Sequence, residues 1–462
     1  MAKSEDIVNF VLAQMEEDIL GPGDRLPTHR DMAWEMKCSV GTVTRAYAEL
    51  ERRGIAYGQV GRGTYIFGTG QDKQAVGNGM FLPDDAFHRR QPAELVDLSL
   101  NRFHHSDLEK SFASALQALS GRIDHADYRS YFDCRGRAED TYQAARWLEP
   151  LIGPVSENNI LLTQGAQSGL YLVMSCLAGS GDSIATEAFG YPGIKVAAQE
   201  QGLRIAAIDM DDEGMVPKSF EAAAMKGKVR LLVTVPTNHN PTGTSLSLGR
   251  RQEIIRIARA HNIMILEDGV YNPLHKKAFP TFRELAPDIS LYLTSFSKVF
   301  SPSLRVGYIV APDELVPKLV NRMTAISWMT SAITLDLTNF LLEKNVIEAH
   351  RTDLAVENER RFIFAKGVLA PWISKSQIDA SSPLSHLWLK LPPIMASSDF
   401  VTRARQEDIL LIGGDRFAMN RQMDDNFVRI CLMGVPEFET FKHALFTIRS
   451  LLSESETRAL IS

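Results

Sequence analysis

The chain has 462 residues, 45% of them hydrophobic and 23% charged, the make-up of a globular protein of two or three domains. Its formal charge of -6 excludes a protein coated in basic surface, though not a small local nucleic-acid site. Cysteines at 38, 134, 176 and 431 form no CxxC pair, and no run of about 18 apolar residues occurs, which argues against a zinc centre, a disulfide framework and a membrane span. The opening MAKSEDIVNF has no apolar stretch of signal-peptide length, so the expectation is a soluble cytoplasmic protein with no metal.

Ile7, Phe10, Val11 and Met15 recur at helical spacing and predict a first helix. GPGDRLPT then interrupts it, and Thr28 is a plausible N-cap for a second helix, HRDMAWEM. After the turn KCSV, Gly41 or Thr42 opens a third helix that ends at Gly54. Two β-type runs, IAYGQV and TYIF, are joined by GRG, so residues 1–69 read as three helices and a two-stranded wing. Residues 70–95 are rich in Gly, Gln, Asp and Pro and read as a linker. From 96 to 462 apolar runs such as NILLT, KVRLLVTVP, NIMILED and SLYLTSF alternate with helical stretches, the pattern of an α/β domain whose parallel sheet is covered on both faces.

Ligands of such sheets sit at the carboxyl ends of the strands. Here those ends lead into Ser297-Lys298, Asp268, Asn240-Pro241-Thr242-Gly243 and Gly165-Ala166-Gln167. One ligand suits the set. Pyridoxal phosphate (PLP) needs a lysine for its aldehyde, an acid for its pyridine nitrogen, donors to its phenolate oxygen and a cradle for its phosphate.

SFSK followed by SPSLRVGY resembles the lysine motif of fold-type I, class I aminotransferases, and NPTG and Asp268-Gly-Val-Tyr271 have that family's order and spacing. The resemblance implies a mostly parallel sheet plus a smaller C-terminal α+β subdomain. It implies Lys298 as the Schiff-base lysine, Asp268 as the pyridinium partner, and Asn240 and Tyr271 as donors to the phenolate oxygen. Ser295, Ser297 and Arg305, with Gly165, Ala166 and Gln167, would hold the phosphate. Tyr191 would stack on the ring, Arg429 would grip an effector carboxylate, and Tyr131 would reach the phosphate of a neighbouring subunit. Two departures bear on the effector side: Phe189 stands where the family often has proline, and the expected N-x-P reads Asn101-Arg102-Phe103. His104, His105 and His386 have no evident partner and read as structural.

LPTHRDMA, TVTRAYAELERRG and GRGTYI resemble the winged helix-turn-helix of GntR-type repressors. A recognition helix lays its N-terminal residues in the major groove, which marks Ser39, Gly41, Thr42, Thr44 and Arg45. Arg30 can meet a phosphate or a guanine edge, and the wing's Arg62 and Gly63 suit a minor groove. Residues 25–66 carry seven basic against four acidic side chains. Val40 occupies a place where some GntR proteins carry a base-reading arginine. A GntR-like module fused to an aminotransferase-like domain resembles the MocR subfamily. That resemblance implies a PLP-dependent, DNA-binding regulator acting as a domain-swapped, head-to-tail homodimer. It would sense an amino-acid-like effector through aldimine exchange at Lys298. The alternatives are a working aminotransferase with a regulatory module, and a regulator that senses PLP itself.

Overall fold

The computed structural model describes residues 4–16, 20, 24–52, 55–59, 63–66, 95–103, 107–121, 128–274, 279–380, 382–393, 395–420 and 426–461. Arg62, His104, His105 and nearly all of the expected linker lie outside them. The chain comprises two compact units, Met1–Gly79 and Met80–Ser462.

In the first unit, helices α1 (Ser4–Glu16), α2 (His29–Glu35) and α3 (Val40–Arg52) precede strands β1 (Ala56–Gln59) and β2 (Gly63–Ile66). Thr28 caps α2 as expected, its Oγ1 accepting from the Asp31 amide. α3 begins at Val40, earlier than the expected Gly41 or Thr42. The reason is Ser39, whose Oγ accepts from the Thr42 amide at 3.2 Å and so acts as the cap. Val43, Ala46, Tyr47 and Leu50, at helical spacing, are buried with Ile7, Val11 and Met32 in one core. β1 and β2 pair antiparallel, and the Leu26 amide bonds Thr64 O, tying the segment before α2 to the wing.

In the second unit a seven-stranded sheet is built from β3 (Ile160–Thr163), β4 (Ser183–Glu187), β5 (Arg204–Ile208), β6 (Val229–Thr234), β7 (Met264–Asp268), β8 (Ser290–Ser295) and β9 (Gly307–Val310). Their spatial order is β3-β9-β8-β7-β6-β4-β5, parallel except for β9, which runs antiparallel to both neighbours. Both faces are covered. Leu161, Leu293 and Ile309 face one core, whereas Leu162, Tyr292 and Tyr308 face the other, the two-residue alternation of a strand. Helix α4 (Ala166–Leu177) packs on the first of these, so closely that a Cβ on Gly169 would lie 2.6 Å from Leu293 Cδ1. A smaller subdomain holds β10 (His386–Lys390), β11 (Ile412–Gly413) and β12 (Phe427–Cys431) as an antiparallel sheet in the order β10-β12-β11. Its core includes Leu369, Leu387, Val428, Ile430, Phe441 and Leu445. Val96 and Asp97 pair with Ile409 and Leu410, which fixes the following Ser99–Asn101 segment on this subdomain.

Candidate cofactor and effector site

β3, β6, β7 and β8 end around one cavity of about 470 Å³. Ala166, Gln167, Tyr191, Asn240, Asp268, Tyr271, Ser295, Ser297, Lys298, Arg305 and Arg429 line it, so the structure brings together nearly the whole expected set. Local structure explains the convergence. The Ser295 terminus of β8 runs into a single 3-10 turn, Phe296–Lys298, which turns the lysine over the strand ends.

One end of the cavity suits a phosphate. Gly165 precedes α4 with φ +81°, and a Cβ there would lie 2.7 Å from Arg305 Nη2, so the guanidinium rests directly on the glycine. Arg305 Nη2 also donates to Gln164 O at 2.9 Å. Beside it, the helix amides of Ala166 and Gln167 open toward the cavity with the positive end of the helix dipole.

The centre is set by burial. Asp268 is 6% exposed, and desolvation pushes its carboxyl up to about 6 even though the Val270 amide donates to Oδ1. Burial likewise lowers the Lys298 ammonium to about 8, and its Nζ donates to Asn101 O at 2.9 Å. Tyr271 is buried, with its phenol pushed well above the usual range by desolvation. Asn101 Nδ2 donates to the Tyr271 hydroxyl at 2.8 Å, which leaves the hydroxyl proton for another acceptor in the cavity. The Tyr191 phenol is raised to about 12 by burial.

At the far end Arg429 is 5% exposed. It donates to Asn240 Oδ1 at 2.7 Å and to Ser99 O, and its Cζ stands 4.8 Å over the Phe417 ring.

The structure also recruits residues that the motifs did not mark. His386, read as structural from sequence, is fully buried at the base of the site. Its Nε2 donates to His239 O at 3.0 Å, which leaves Nδ1 to accept from Asn101 Nδ2 at 3.2 Å, and its ring packs on Tyr271. His386 thus orients the Asn101 amide that orients Tyr271. Asn101, visible in sequence only as a departure, touches Tyr271 by its side chain and Lys298 by its carbonyl. Tyr131 stands apart, 77% exposed, its ring 5.6 Å from that of Trp328. Among the described residues no group of three or more His, Cys, Asp or Glu side chains could hold a metal ion, and no helix is long and apolar enough to cross a membrane.

In the first unit Ser39, Gly41, Thr44 and Arg45 are exposed on the open face of α3, with Thr42 partly so, and Arg30 is exposed on α2. Thr44 Oγ1 and Arg45 Nε bond back to the carbonyls of Val40 and Gly41. Gly63 opens β2.

Residues 93–444 match the family described as aminotransferase class I and II. The chain belongs to that family. Residues 3–66 match the gntR family of bacterial regulatory proteins, and the pair of domains is that of MocR-type regulators. The regulator TauR of Rhodobacter capsulatus is 27% identical over 447 residues, covering 90% of this chain and 89% of its own. The uncharacterized regulator YdeF of Bacillus subtilis is 24% identical over 464 residues, covering 98% and 96%. Among solved structures, an archaeal alanine:glyoxylate aminotransferase superposes with a TM-score of 0.71 at 21% identity, over 78% of this chain and 91% of that one. LysN, the α-aminoadipate aminotransferase of Thermus thermophilus, gives 0.68 at 22% identity, over 79% and 94%. The fold is therefore that of fold-type I aminotransferases, the cofactor is PLP, and the protein is a PLP-dependent transcriptional regulator. The cavity fits that cofactor. Gly165 lets the Arg305 guanidinium lie where any Cβ would displace it, beside the helix amides, and Asp268 supplies a buried carboxylate suited to a protonated ring nitrogen.

Proposed function

We propose that the protein is a cytoplasmic homodimer that alters its DNA affinity when an amino-acid-like effector replaces Lys298 on the cofactor. When bound, PLP supplies an aldehyde carbon that condenses with primary amines. The rest falls to the chain. Arg305, Ser295, Ser297 and the α4 amides would hold the phosphate, Asp268 would accept from the protonated ring nitrogen, and Tyr191 would lie against the ring. Tyr271 and Asn240 hold the phenolate oxygen. With an ammonium lowered to about 8, on the order of a tenth of the Lys298 amines are neutral, and so nucleophilic, at pH 7. Arg429, oriented by Asn240 Oδ1 and Ser99 O, takes the effector's carboxylate. Once displaced, Lys298 Nζ has Asn101 O as its acceptor, on the segment fixed to the small subdomain. The exchange biases the regulator only through differential affinity for its two states.

The observation that carries this reading is a complete lysine–carboxylate–arginine cavity on the same chain as a GntR helix-turn-helix. On the DNA side, Arg30, Ser39, Gly41, Thr42, Thr44, Arg45, Arg62 and Gly63 would meet the duplex. The exposure of Tyr131 supports a role for it toward a second subunit. The test is DNA binding by Lys298→Ala with and without candidate amines. Loss of every effector response supports the exchange, and a wild-type response overturns it. The chemically complete donor set also supports a transamination half-reaction. Repeated keto-acid release with an acceptor present would make the protein an enzyme, and DNA binding that follows PLP alone would make PLP the signal.

A further inference from the structure

The cavity changes character beside Arg429. Phe417 is fully buried, directly beneath the Arg429 guanidinium. Trp388 meets Phe417 edge-on at 5.5 Å and stacks on Phe427 at 5.1 Å, with 7° between the planes. Phe189, the residue standing where the family often has proline, closes the cluster edge-on to Trp388 at 5.5 Å and to Phe427 at 5.8 Å. Backbone bonds lock the segments together, Gly190 N to Phe417 O and Met419 N to Ala188 O, both at 2.9 Å. Aromatic rings braced on several sides make a stiff wall. Ile412 faces Arg429 across the β11–β12 register, and Leu100, partly exposed, forms another side.

Charge narrows the occupant further. Among the described residues lining the cavity, the cations are Lys298, Arg305 and Arg429, and the carboxylate is Asp268. Each already has a place: amine, phosphate, effector carboxylate and ring nitrogen. A second charge on the effector would lose its hydration against Leu100 and Ile412, and the further cation near Lys298, Arg102, is already paired with Asp97 at 3.5 Å. We infer that the effector is an α-amino acid with an uncharged, apolar side chain, its carboxylate on Arg429 and its side chain against Leu100 and Ile412, in front of the wall that Phe417 braces. This rests on the amine-exchange reading above and narrows it to one chemical class.

The test uses full-length, PLP-loaded protein and follows both cofactor absorbance and DNA affinity. Leucine, phenylalanine, alanine, glutamate, taurine and 4-aminobutyrate are titrated separately. A hydrophobic pocket discriminates by about tenfold or more per methylene, so leucine or phenylalanine saturates at least ~10-fold below alanine. Glutamate, taurine and 4-aminobutyrate saturate higher still. If any of these three saturates below both apolar amino acids, the inferred class is overturned while amine exchange stands. If no amine moves the absorbance, amine exchange falls and the inference with it. Leu100→Arg, at a partly exposed position and with a thermal melt to confirm folding, shifts the ranking toward glutamate. An unchanged ranking in that variant overturns the side-chain placement.

Discussion

Replacing Arg429 tests the effector site most directly. The guanidinium is 5% exposed and reaches Asn240 Oδ1 and Ser99 O while resting on Phe417, so its donors are aimed before any ligand arrives. A carboxylate gripped there gains charge-assisted hydrogen bonds of about 1.5–3 kcal/mol each. Losing one or two of them in Arg429→Ala weakens an effector with a carboxylate by on the order of 10–10⁴-fold. The same change leaves Asn240 Oδ1 and Ser99 O without this donor, at about 1–3 kcal/mol of stability. In a unit the size of Met80–Ser462 that lowers the melting temperature by roughly 1 °C per kcal/mol. Arg429→Lys keeps the charge without the planar fork and falls between Ala and wild type. The assay is an effector titration on cofactor absorbance, repeated on DNA affinity, with a thermal melt to confirm folding. Both variants keep PLP colour, because the guanidinium lies at the end of the cavity away from Arg305. Folded but colourless protein, or a half-saturation point within about twofold of wild type, would refute the assigned role.

Lys298→Ala holds PLP only noncovalently, and its DNA affinity ignores every amine; a binding isotherm that still moves with effector sinks the exchange. Asp268 titrates near 6 in the folded cavity against about 3.9 unfolded, so its contribution to folding is fully present below pH ~4 and is lost as pH rises through 6, about 3 kcal/mol in all. Cofactor-free Asp268→Asn is therefore more stable than cofactor-free wild type at pH 7–8, by about that amount, with no gain at pH 4; urea unfolding at the two pH values measures it. His386→Ala strips His239 O and one Asn101 N–H of a partner. PLP retention in equilibrium dialysis drops by up to about tenfold, the worth of one buried hydrogen bond, and unchanged retention contradicts the positioning role. Arg45→Ala weakens operator binding, and its salt dependence sorts the contact. A log–log slope shallower by about 0.9 marks a phosphate, whereas an unchanged slope with relaxed specificity marks a base.

Much of this is legible along the chain because it is encoded over short distances. The α2 cap at Thr28 and the buried stripe Val43, Ala46, Tyr47 and Leu50 follow from spacing within one or two turns. The strands ending at Thr163, Thr234, Asp268 and Ser295 show as apolar runs, and the lysine, carboxylate and arginine follow them as short motifs. Even so, α3 starts before the residues that spacing marks, since a serine can cap or sit in the preceding turn and only the Ser39–Thr42 bond separates these.

Other features have no local trace. Nothing near Gly307–Val310 tells that this strand runs antiparallel within a parallel sheet, because direction is set by where the chain re-enters. Asn101 and Tyr271 are 170 residues apart, and Asn101 and His386 285. Hydrogen bonds over such separations exist only once the subdomains have docked, so a lone histidine in the run SHLWL reads as structural until then. Phe189 shows the division most clearly. Its identity is visible as a departure from the family, but only the packing of Phe417, Trp388 and Phe427 decides what it braces. Sequence alone determined which reactive groups the cavity holds, since those lie in short motifs at strand ends. Tertiary structure decided their protonation, their partners and the shape left for a ligand, because burial and contact depend on residues far apart in the chain.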